Sequence, residues 1–467
     1  MVEHANNSKR IFEPVSVAVI GASDDPKKWG HITLRNIIDG GFEGRIYPIN
    51  PRVETILGLK CYPDIREVPG EVDLAVIVVP ASAVPDVMEG CVEKGIKAAI
   101  IISAGFSEVG FEGERLEQEV VRIAKKGNIR IVGPNCMGVY IARKKLVATW
   151  VNIPKEKIAP GPIGFISQSG AFANMMLRWA VARGVPLSVA VSAGNQADLE
   201  LSDYLMYLAG DEATKVIAMY IEGVRDGRKF MKALEYCVEK RKPVVVMKVG
   251  CTASGAKAAR SHTASMAGRD EIYEAVFKKF GVIRVYEEDD LFDVAWALAN
   301  LPPPKGNRVG VISGSGGWGV QASDNLEITG FKLPSLPDYI LRELDKKLPP
   351  FWSRGNPIDL VATGGPKEYR LAAKLLMEDP NFDAVLMLGF VGFRAAEEED
   401  IVREVATYPK KYGKPLIVVN IFGREVSGVK LLEELGIPVY RSIPKGVRAL
   451  SSLRQQAEFL KKIKSVI

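Results

Sequence analysis

The chain has 467 residues, a length that at ~150 residues per domain predicts about three domains. With 47% apolar and 25% charged residues, 44 glycines and 28 prolines, its composition excludes collagen-like, disordered and disulfide-scaffold classes. The net charge is +6, with Lys and Glu interleaved, which suits anionic small molecules and argues against a nucleic-acid surface. Five dispersed cysteines without a CxxC pair indicate neither a disulfide framework nor a metal site.

The first residues lack the apolar segment of a signal peptide, and no run of about 18 apolar residues occurs in the chain. We therefore expect no membrane partner and a location in the reducing cytoplasm.

Short β-branched runs alternate with helix-periodic stretches along the whole chain, which is the pattern of parallel βαβ sheets. A Pro-rich joint at 301–306 separates the last third. We predict a Rossmann-like domain over 11–144 and two flavodoxin-like domains over 145–302 and 303–467. The predicted strands are 16–21, 45–49, 72–79, 98–103, 130–132, 163–167, 188–192, 216–222, 243–248, 308–313, 384–390, 416–420 and 439–441.

The first strand runs into a turn that suits a phosphate. This turn has the first glycine of a dinucleotide fingerprint but lacks the second at its required spacing, and two lysines follow it. Ligands of α/β units bind where the strands end, so several strand ends are expected to converge on one ligand. Each turn taken singly fits an ordinary loop somewhat better than a binding site, whereas together the turns favour a phosphorylated ligand. The candidates are Gly21, Ala22, Ser23, Asp24, Asp25, Lys27, Lys28, Asn50, Arg52, Val79, Pro80, Ser103 and Ala104.

Asn135 and Cys136 lie between two glycines directly after the last strand of the first domain. This loop is either part of the same site or a tight exit from the strand, and the residues alone do not decide between the two.

Two further strands each run into a Ser/Gly turn that opens a helix, which offers backbone N–H donors and a positive dipole end. The second turn also matches GxGxxG, but no acidic residue follows at the distance that dinucleotide binding needs. We therefore expect bare phosphate binding, with both helix starts facing a single phosphoryl group. The residues are Ser167, Gln168, Ser169, Gly170, Gly314, Ser315, Gly316 and Gly317.

His262 is one of only three histidines and lies in a run of small residues after a predicted strand. A lone histidine is often structural, but this stretch offers little core, so a mobile carrier of a phosphoryl group is the stronger interpretation. Glu222 ends another strand and is the carboxylate best placed to orient the ring, although it also fits a solvated loop acid. No Walker A, HExxH or GxSxG motif is present, so no nucleotide site is visible.

Seven motifs in order resemble the nucleoside-diphosphate-forming acyl-CoA ligases, which include succinyl-CoA synthetase, and within them the alpha subunits of archaeal ADP-forming acetate–CoA ligases. The resemblance covers nearly the whole chain. The motifs are VAVIGASDDP, YPINP, GPNCMG, GFISQSGAF, YIEG, SHTASMAG and GVISGSGGWG.

This resemblance implies that the first domain binds coenzyme A through residues 22–25, Arg52 and residues 102–104 (Ile102, Ser103 and Ala104), with the thiol end of CoA near Asn135. It implies a phosphate site between the two Ser/Gly helix starts and a phosphorylated His262 partnered by Glu222. Ala264 stands where relatives often have Gly, which stiffens the loop slightly.

The family's ATP-grasp domain is missing from this chain, so the resemblance implies a separate beta subunit in an α2β2 complex, holding ADP or ATP with Mg²⁺. The expected reaction converts acyl-CoA, ADP and phosphate into a small carboxylic acid, ATP and CoA. The alternative is a non-catalytic CoA-binding regulator that keeps the fold and has lost the partner.

Overall fold

The structure is a computed structural model that describes residues 10–151, 153, 160–255, 257, 269–361, 364–392 and 398–464. The chain divides into two compact units, Met1–Glu288 and Asp289–Ile467. The first unit contains two large sheets and the second unit contains one. In each unit the strands are buried almost throughout, as expected for apolar runs in α/β sheets.

The first sheet has five parallel strands in the order β2-β1-β5-β6-β7, and a small antiparallel hairpin, β3-β4, accompanies it. The strands are β1 (Ser16–Ile20), β2 (Arg45–Ile49), β3 (Thr55–Ile56), β4 (Leu59–Lys60), β5 (Leu74–Ile77), β6 (Ala98–Ile101) and β7 (Arg130–Val132).

The second sheet has seven strands. They are β8 (Gly138–Ile141), β9 (Leu146–Thr149), β10 (Pro160–Ser167), β11 (Leu187–Ser192), β12 (Val216–Ile221), β13 (Val244–Lys248) and β14 (Ile283–Val285). Their order is β14-β13-β12-β10-β11-β8-β9, with β8 and β9 antiparallel at one side. The predicted boundary between residues 144 and 145 falls between β8 and β9, which pair in this one sheet.

The third sheet is parallel, with the order β16-β15-β17-β18-β19. Its strands are β15 (Val309–Ser313), β16 (Ile358–Asp359), β17 (Ala384–Leu388), β18 (Leu416–Val419) and β19 (Val439–Tyr440).

Helices connect the strands of each sheet. In the first unit they are α1 (Trp29–Asp39), α2 (Val84–Lys94), α3 (Phe111–Gly127), α4 (Gly170–Arg183), α5 (Leu201–Gly210), α6 (Gly227–Glu239) and α7 (Asp270–Phe280). From the junction onward they are α8 (Glu288–Asn300), α9 (Gly316–Ile328), α10 (Asp338–Asp345), α11 (Pro366–Glu378), α12 (Glu398–Ala406), α13 (Tyr408–Tyr412), α14 (Ser427–Glu434) and α15 (Ile443–Lys464).

The three sheets repeat one topology. When the parallel strands of each sheet are numbered along the chain, the first strand lies between the second and the third, which gives the order 2-1-3-4-5. Beside that first strand the direction in which successive strands are added to the sheet reverses, and ligands of α/β sheets bind in the crevice at such a switch point. The loops after β1, β10 and β15 therefore occupy the three positions where the fold favours a ligand.

Every strand predicted from the sequence coincides with a strand of the structure, with small shifts at the ends, and the α/β fold class is confirmed. The strands that were not predicted are short or antiparallel: β3, β4, β8, β9, β14 and β16. The β8-β9 hairpin was missed because its short turn, with Lys145 in the left-handed region at φ 53°, carries no Gly or Pro signal.

Candidate functional site

The turn after β1 is closed by its own hydrogen bonds. The Ser23 hydroxyl accepts from the backbone N–H of Asp25 at 3.1 Å, and the Asp25 carboxylate accepts from that of Lys27 at 3.0 Å. Lys28 caps α1 without a side-chain hydrogen bond, and both lysines and Asp24 are exposed. The first turn of α1 and two cationic side chains are thus presented at the end of β1, an arrangement that suits an anion.

Two glycines let α1 approach the end of β1. Gly21 has φ +91°, and a Cβ added there would lie 2.6 Å from the carbonyl oxygen of Val78. A Cβ on Gly30 would lie 2.0 Å from the carbonyl oxygen of Gly21. Sequence reasoning missed Gly30, which performs the close helix–strand packing that the third glycine of a dinucleotide fingerprint usually performs. The signal was a glycine at the start of the helix, outside the fingerprint spacing.

The end of β2 is tied to this turn. The Asn50 side-chain amide donates to the carbonyl oxygen of Ala22 at 2.7 Å, and its oxygen accepts from the backbone N–H of Arg52 at 2.9 Å. Arg52 is exposed. Asn50 therefore supports the phosphate turn, and Arg52 adds a third cation at this end of the sheet.

The ends of β5, β6 and β7 continue the same edge. The Ser103 hydroxyl donates to the carbonyl oxygen of Val79 at 2.5 Å, and the backbone N–H of Asn135 donates to that of Ser103 at 2.9 Å. Pro80 and Ala104 are exposed. The predicted strand-end residues of the first domain are thus brought together along one edge.

Cys136 and Ile102 face the core, with 4% and 1% of their surfaces exposed. The Cys136 thiol donates to the carbonyl oxygen of Ile101 at 3.3 Å, and burial raises its pKa to about 12. A buried neutral thiol is unreactive, so Cys136 offers a ligand only its backbone.

The start of α4 is braced from the neighbouring strand. The Ser167 hydroxyl is fully buried and donates to the carbonyl oxygen of Ser169 at 2.7 Å, while the Ser169 hydroxyl caps α4. The Gln168 side chain donates to the carbonyl oxygen of Gly223 at 2.7 Å and accepts from the backbone N–H groups of Gly223, at 3.0 Å, and Glu222. Because these side chains are engaged internally, an anion would meet the backbone at the N-terminus of α4, next to Gly170.

Gln168 thereby links two parts of the chain that were predicted to have different roles, the phosphate turn and the carboxylate partner of the histidine. Its carboxamide joins the predicted phosphate turn to the backbone of Glu222, whose residue is 5% exposed. The interpretation of Glu222 as a solvated loop acid is therefore wrong, because the residue is buried. The backbone of a buried glutamate is thus held beside a helix start that suits phosphate.

The start of α9 repeats this construction in the second unit. The fully buried Ser313 hydroxyl donates to the carbonyl oxygen of Ser315 at 2.6 Å and accepts from its backbone N–H at 3.1 Å. Ser315, Gly316 and Gly317 are exposed, and Gly314 is partly exposed. The hydroxyl-to-cap bond matches the one in the Ser167 turn. That the two helix starts share one phosphoryl group stays a prediction.

His262 lies outside the described residues. The chain on either side of the segment that contains it is tied to one guanidinium: Arg284 donates to the Cys251 sulfur at 2.9 Å and to the Asp270 carboxylate at 2.7 Å. The preceding strand ends at Lys248, which is 2% exposed and lies 4.7 Å from the ring of Tyr273, and burial lowers the pKa of Lys248. Sequence reasoning did not find this anchor, because Arg284 is distant in the chain.

Three family models match the chain: a CoA binding domain over 15–142, a succinyl-CoA ligase-like flavodoxin domain over 160–298 and a ligase-CoA domain over 309–396. The chain is 41% identical over 453 residues to the alpha subunit of acetate–CoA ligase (ADP-forming) II of Pyrococcus furiosus, covering 96% of this chain and 97% of that one. It belongs to the alpha subunits of the ADP-forming acyl-CoA ligases. The family resemblance and the expectation of an enzyme subunit are thus confirmed.

Other relatives in this family differ in length. The acetate–CoA ligase (ADP-forming) I of Archaeoglobus fulgidus is 40% identical over 446 residues, which are 95% of this chain but 63% of that protein. A solved structure, the dinucleotide-forming acetyl-coenzyme A synthetase 1 of Candidatus Korarchaeum cryptofilum in complex with phosphate and ADP, is 36% identical with a TM-score of 0.88 and covers 98% of both chains.

No helix in the described part of the chain is long and apolar enough to cross a membrane. All five cysteines are free, four of them buried and Cys251 exposed.

Proposed function

We propose that this subunit works in an acetate–CoA ligase that interconverts acyl-CoA, ADP and phosphate with a free acid, ATP and CoA, through an acyl phosphate and phosphorylated His262. The observation that carries the proposal is the Gln168 brace, which holds the Glu222 segment beside the start of α4. At such a place the phosphoryl carrier must do two things: hydrogen-bond to a carboxylate, and accept a phosphoryl group from an anion bound at the helix start. Imidazole can do both.

In the direction of ATP formation, an oxygen of phosphate attacks the thioester carbonyl and the CoA sulfur leaves, which yields the acyl phosphate. A ring nitrogen of His262 then attacks phosphorus, and the carboxylate of the acid leaves with the electron pair of the broken P–O bond. The opposite ring nitrogen donates its proton to Glu222, which stabilises the phosphorylated ring. ADP takes the phosphoryl group in the last step.

CoA fits the edge of the first sheet. Lys27, Lys28 and Arg52 supply positive charge at the α1 end, and the close approach permitted by Gly21 and Gly30 places the N-terminus of α1, which suits a pyrophosphate, at the end of β1. The arm of CoA would then run past the ends of β5 and β6 toward Asn135.

We propose a separate ATP-grasp beta subunit that holds ADP or ATP with Mg²⁺, in an α2β2 complex. The Pyrococcus furiosus relative named as an alpha subunit is covered over 97% of its length, whereas this chain covers 63% of the acetate–CoA ligase (ADP-forming) I of Archaeoglobus fulgidus. We also propose domain limits of 11–144, 145–302 and 303–467: each family-model range lies within one of these domains, although the first limit divides the β8–β9 hairpin of the second sheet. The free thiols support a cytoplasmic location.

The test is to mix the chain with the beta subunit, ADP, phosphate and a panel of acyl-CoA thioesters, and to measure ATP. We expect ATP from acetyl-CoA only when both subunits are present, and calorimetric binding of CoA to this chain alone. Labelled phosphate should enter an acid-labile, base-stable bond on His262. The control variant His4→Ala, which changes a different histidine, should keep this label. Robust ATP formation by the rigorously purified chain alone, or no CoA binding by folded protein, would overturn the proposal.

A further inference from the structure

A polar network occupies the β6–β7 end of the first sheet's edge. The Asn195 side-chain amide donates to the carboxylates of Glu108, at 2.6 Å, and Glu117, at 2.9 Å, and its oxygen accepts from the Asn135 side chain at 3.2 Å. The second Glu108 oxygen accepts from the backbone N–H of Gly105 at 2.6 Å. The Glu108 carboxylate is therefore held at the carboxyl end of β6, and Asn195 links it to Asn135 by hydrogen bonds to both.

The distribution of charge orients an extended ligand on this edge. The cations Lys27, Lys28 and Arg52 lie at the β1–β2 end, where they attract phosphate groups. From β1 the sheet continues through β5 and β6 to β7, which is three interstrand steps or ~14 Å at ~4.8 Å each. The pantetheine arm is long enough to span these steps. Its sulfur then reaches the end of the edge that carries Glu108 and Asn135.

We propose that the Glu108 carboxylate is the catalytic base for the CoA thiol. This inference rests on the proposed function for the placement of CoA. As the sulfur attacks the carbonyl carbon of the acyl phosphate, the S–H proton passes to a Glu108 oxygen, the C–S bond forms, and phosphate leaves with the electron pair of the broken C–O bond. In the opposite direction phosphate attacks the thioester, and protonated Glu108 returns the proton to the departing sulfur.

Glu108 suits this role better than its neighbour. Glu117 is 8% exposed, and its carboxylate accepts from the Ser107 hydroxyl at 2.8 Å as well as from Asn195. Glu108 is only partly buried and follows the exposed Ala104 at the strand end. Glu117 therefore positions the network, while Glu108 is open to a ligand.

The protonation state of Glu108 agrees with this role. Burial raises its pKa, but hydrogen bonds from Asn195 and from backbone N–H groups, including that of Gly105, outweigh burial and hold the pKa below its ordinary value. The group is thus a carboxylate at neutral pH. Because a thiol is a much weaker acid, with a pKa of about 8.5, proton transfer has to accompany formation of the C–S bond.

The test compares Glu108→Gln with Glu112→Gln, an exposed control at the start of α3, in the complex with the beta subunit. At pH 7, Glu108→Gln should slow acyl-CoA formation from acetyl phosphate and CoA by about 10²- to 10⁴-fold, the usual contribution of a general base. Labelling of His262 by ATP, which needs no thiol, and calorimetric CoA affinity should stay near the wild-type values. Glu112→Gln should resemble the wild type throughout.

A pH profile separates base catalysis from a structural role. The deficit of Glu108→Gln should shrink as the pH rises toward the thiol pKa of about 8.5, because a preformed thiolate needs no base. Glu108→Asp, which keeps a carboxylate at a shorter reach, should fall between Gln and the wild type. A deficit that is constant with pH, a near-normal rate in Glu108→Gln, or parallel loss of His262 labelling and CoA affinity would overturn this inference alone. Absence of CoA binding by the wild-type protein would instead overturn the proposed function.

Discussion

Replacing Gln168 by Leu tests whether the brace between α4 and β12 positions Glu222. The side chain is 5% exposed and bonds to three backbone groups, the carbonyl and N–H of Gly223 and the N–H of Glu222. Leu has a similar volume and no polar atom, so the substitution removes these bonds without opening a large cavity.

The expected loss follows from the bond count. At a net ~1 kcal/mol for each hydrogen bond, the three bonds of Gln168 contribute about 3 kcal/mol, and more where water does not reach the abandoned groups. Since 1.4 kcal/mol corresponds to a factor of ten, local opening of the Glu222 turn should become ~100-fold more favourable.

Hydrogen exchange resolved to the peptide around 216–226, together with His262 labelling in the complex, measures this effect. We expect faster exchange at the end of β12 and weaker labelling, with CoA binding retained, because the first sheet is untouched. The matched control is Gln118→Leu, since Gln118 is exposed and bonds only to Glu114 at 3.4 Å. Unchanged exchange and labelling in Gln168→Leu would refute the role of the brace.

Three further predictions follow from named contacts. Gly21→Ala should weaken CoA binding, measured by calorimetry, by at least about tenfold, because the positive φ of Gly21 and a carbonyl oxygen 2.6 Å from the added Cβ oppose a side chain there. Gly58→Ala, at a position with φ +78° and open space around the Cβ, should keep the affinity. Equal affinities of the two variants would contradict this prediction. Burial raises the pKa of Asp383, but Arg308, bonded at 2.9 and 3.0 Å, and backbone N–H bonding lower it more. The ion pair therefore stabilises the fold at pH values above the ordinary pKa of an aspartate, and this stability is lost as the pH falls through the depressed pKa of Asp383. Asp383→Asn should lower the free energy of unfolding at pH 7, measured by denaturant titration, by about 2 kcal/mol and should remove that part of the acid sensitivity. Unaltered acid sensitivity of the variant would count against this prediction. Finally, His262→Ala should abolish both ATP formation and the base-stable label while CoA binding persists, and a near-normal label would move the search to another nucleophile.

The sequence by itself determined the parallel strands and the loops that follow them. Continuous β-branched runs specify buried strands, and Gly, Ser and Asn at their ends specify turns, so both signals are local. The turns after β1, β10 and β15 were identified in this way, and the structure places each of them at a switch point. The order of the motifs was sufficient for the family.

Only the tertiary structure decided which of these residues work together. Gln168 reaches Glu222 across 54 residues and Asn195 reaches Glu108 across 87, and no local pattern records such pairs. Likewise, β8 and β9 join the second sheet, and Cys136 faces the core although its neighbour Asn135 bonds outward to Asn195. Strand pairing and side-chain packing are chosen by the whole buried surface, so residues of the same local type acquire different roles.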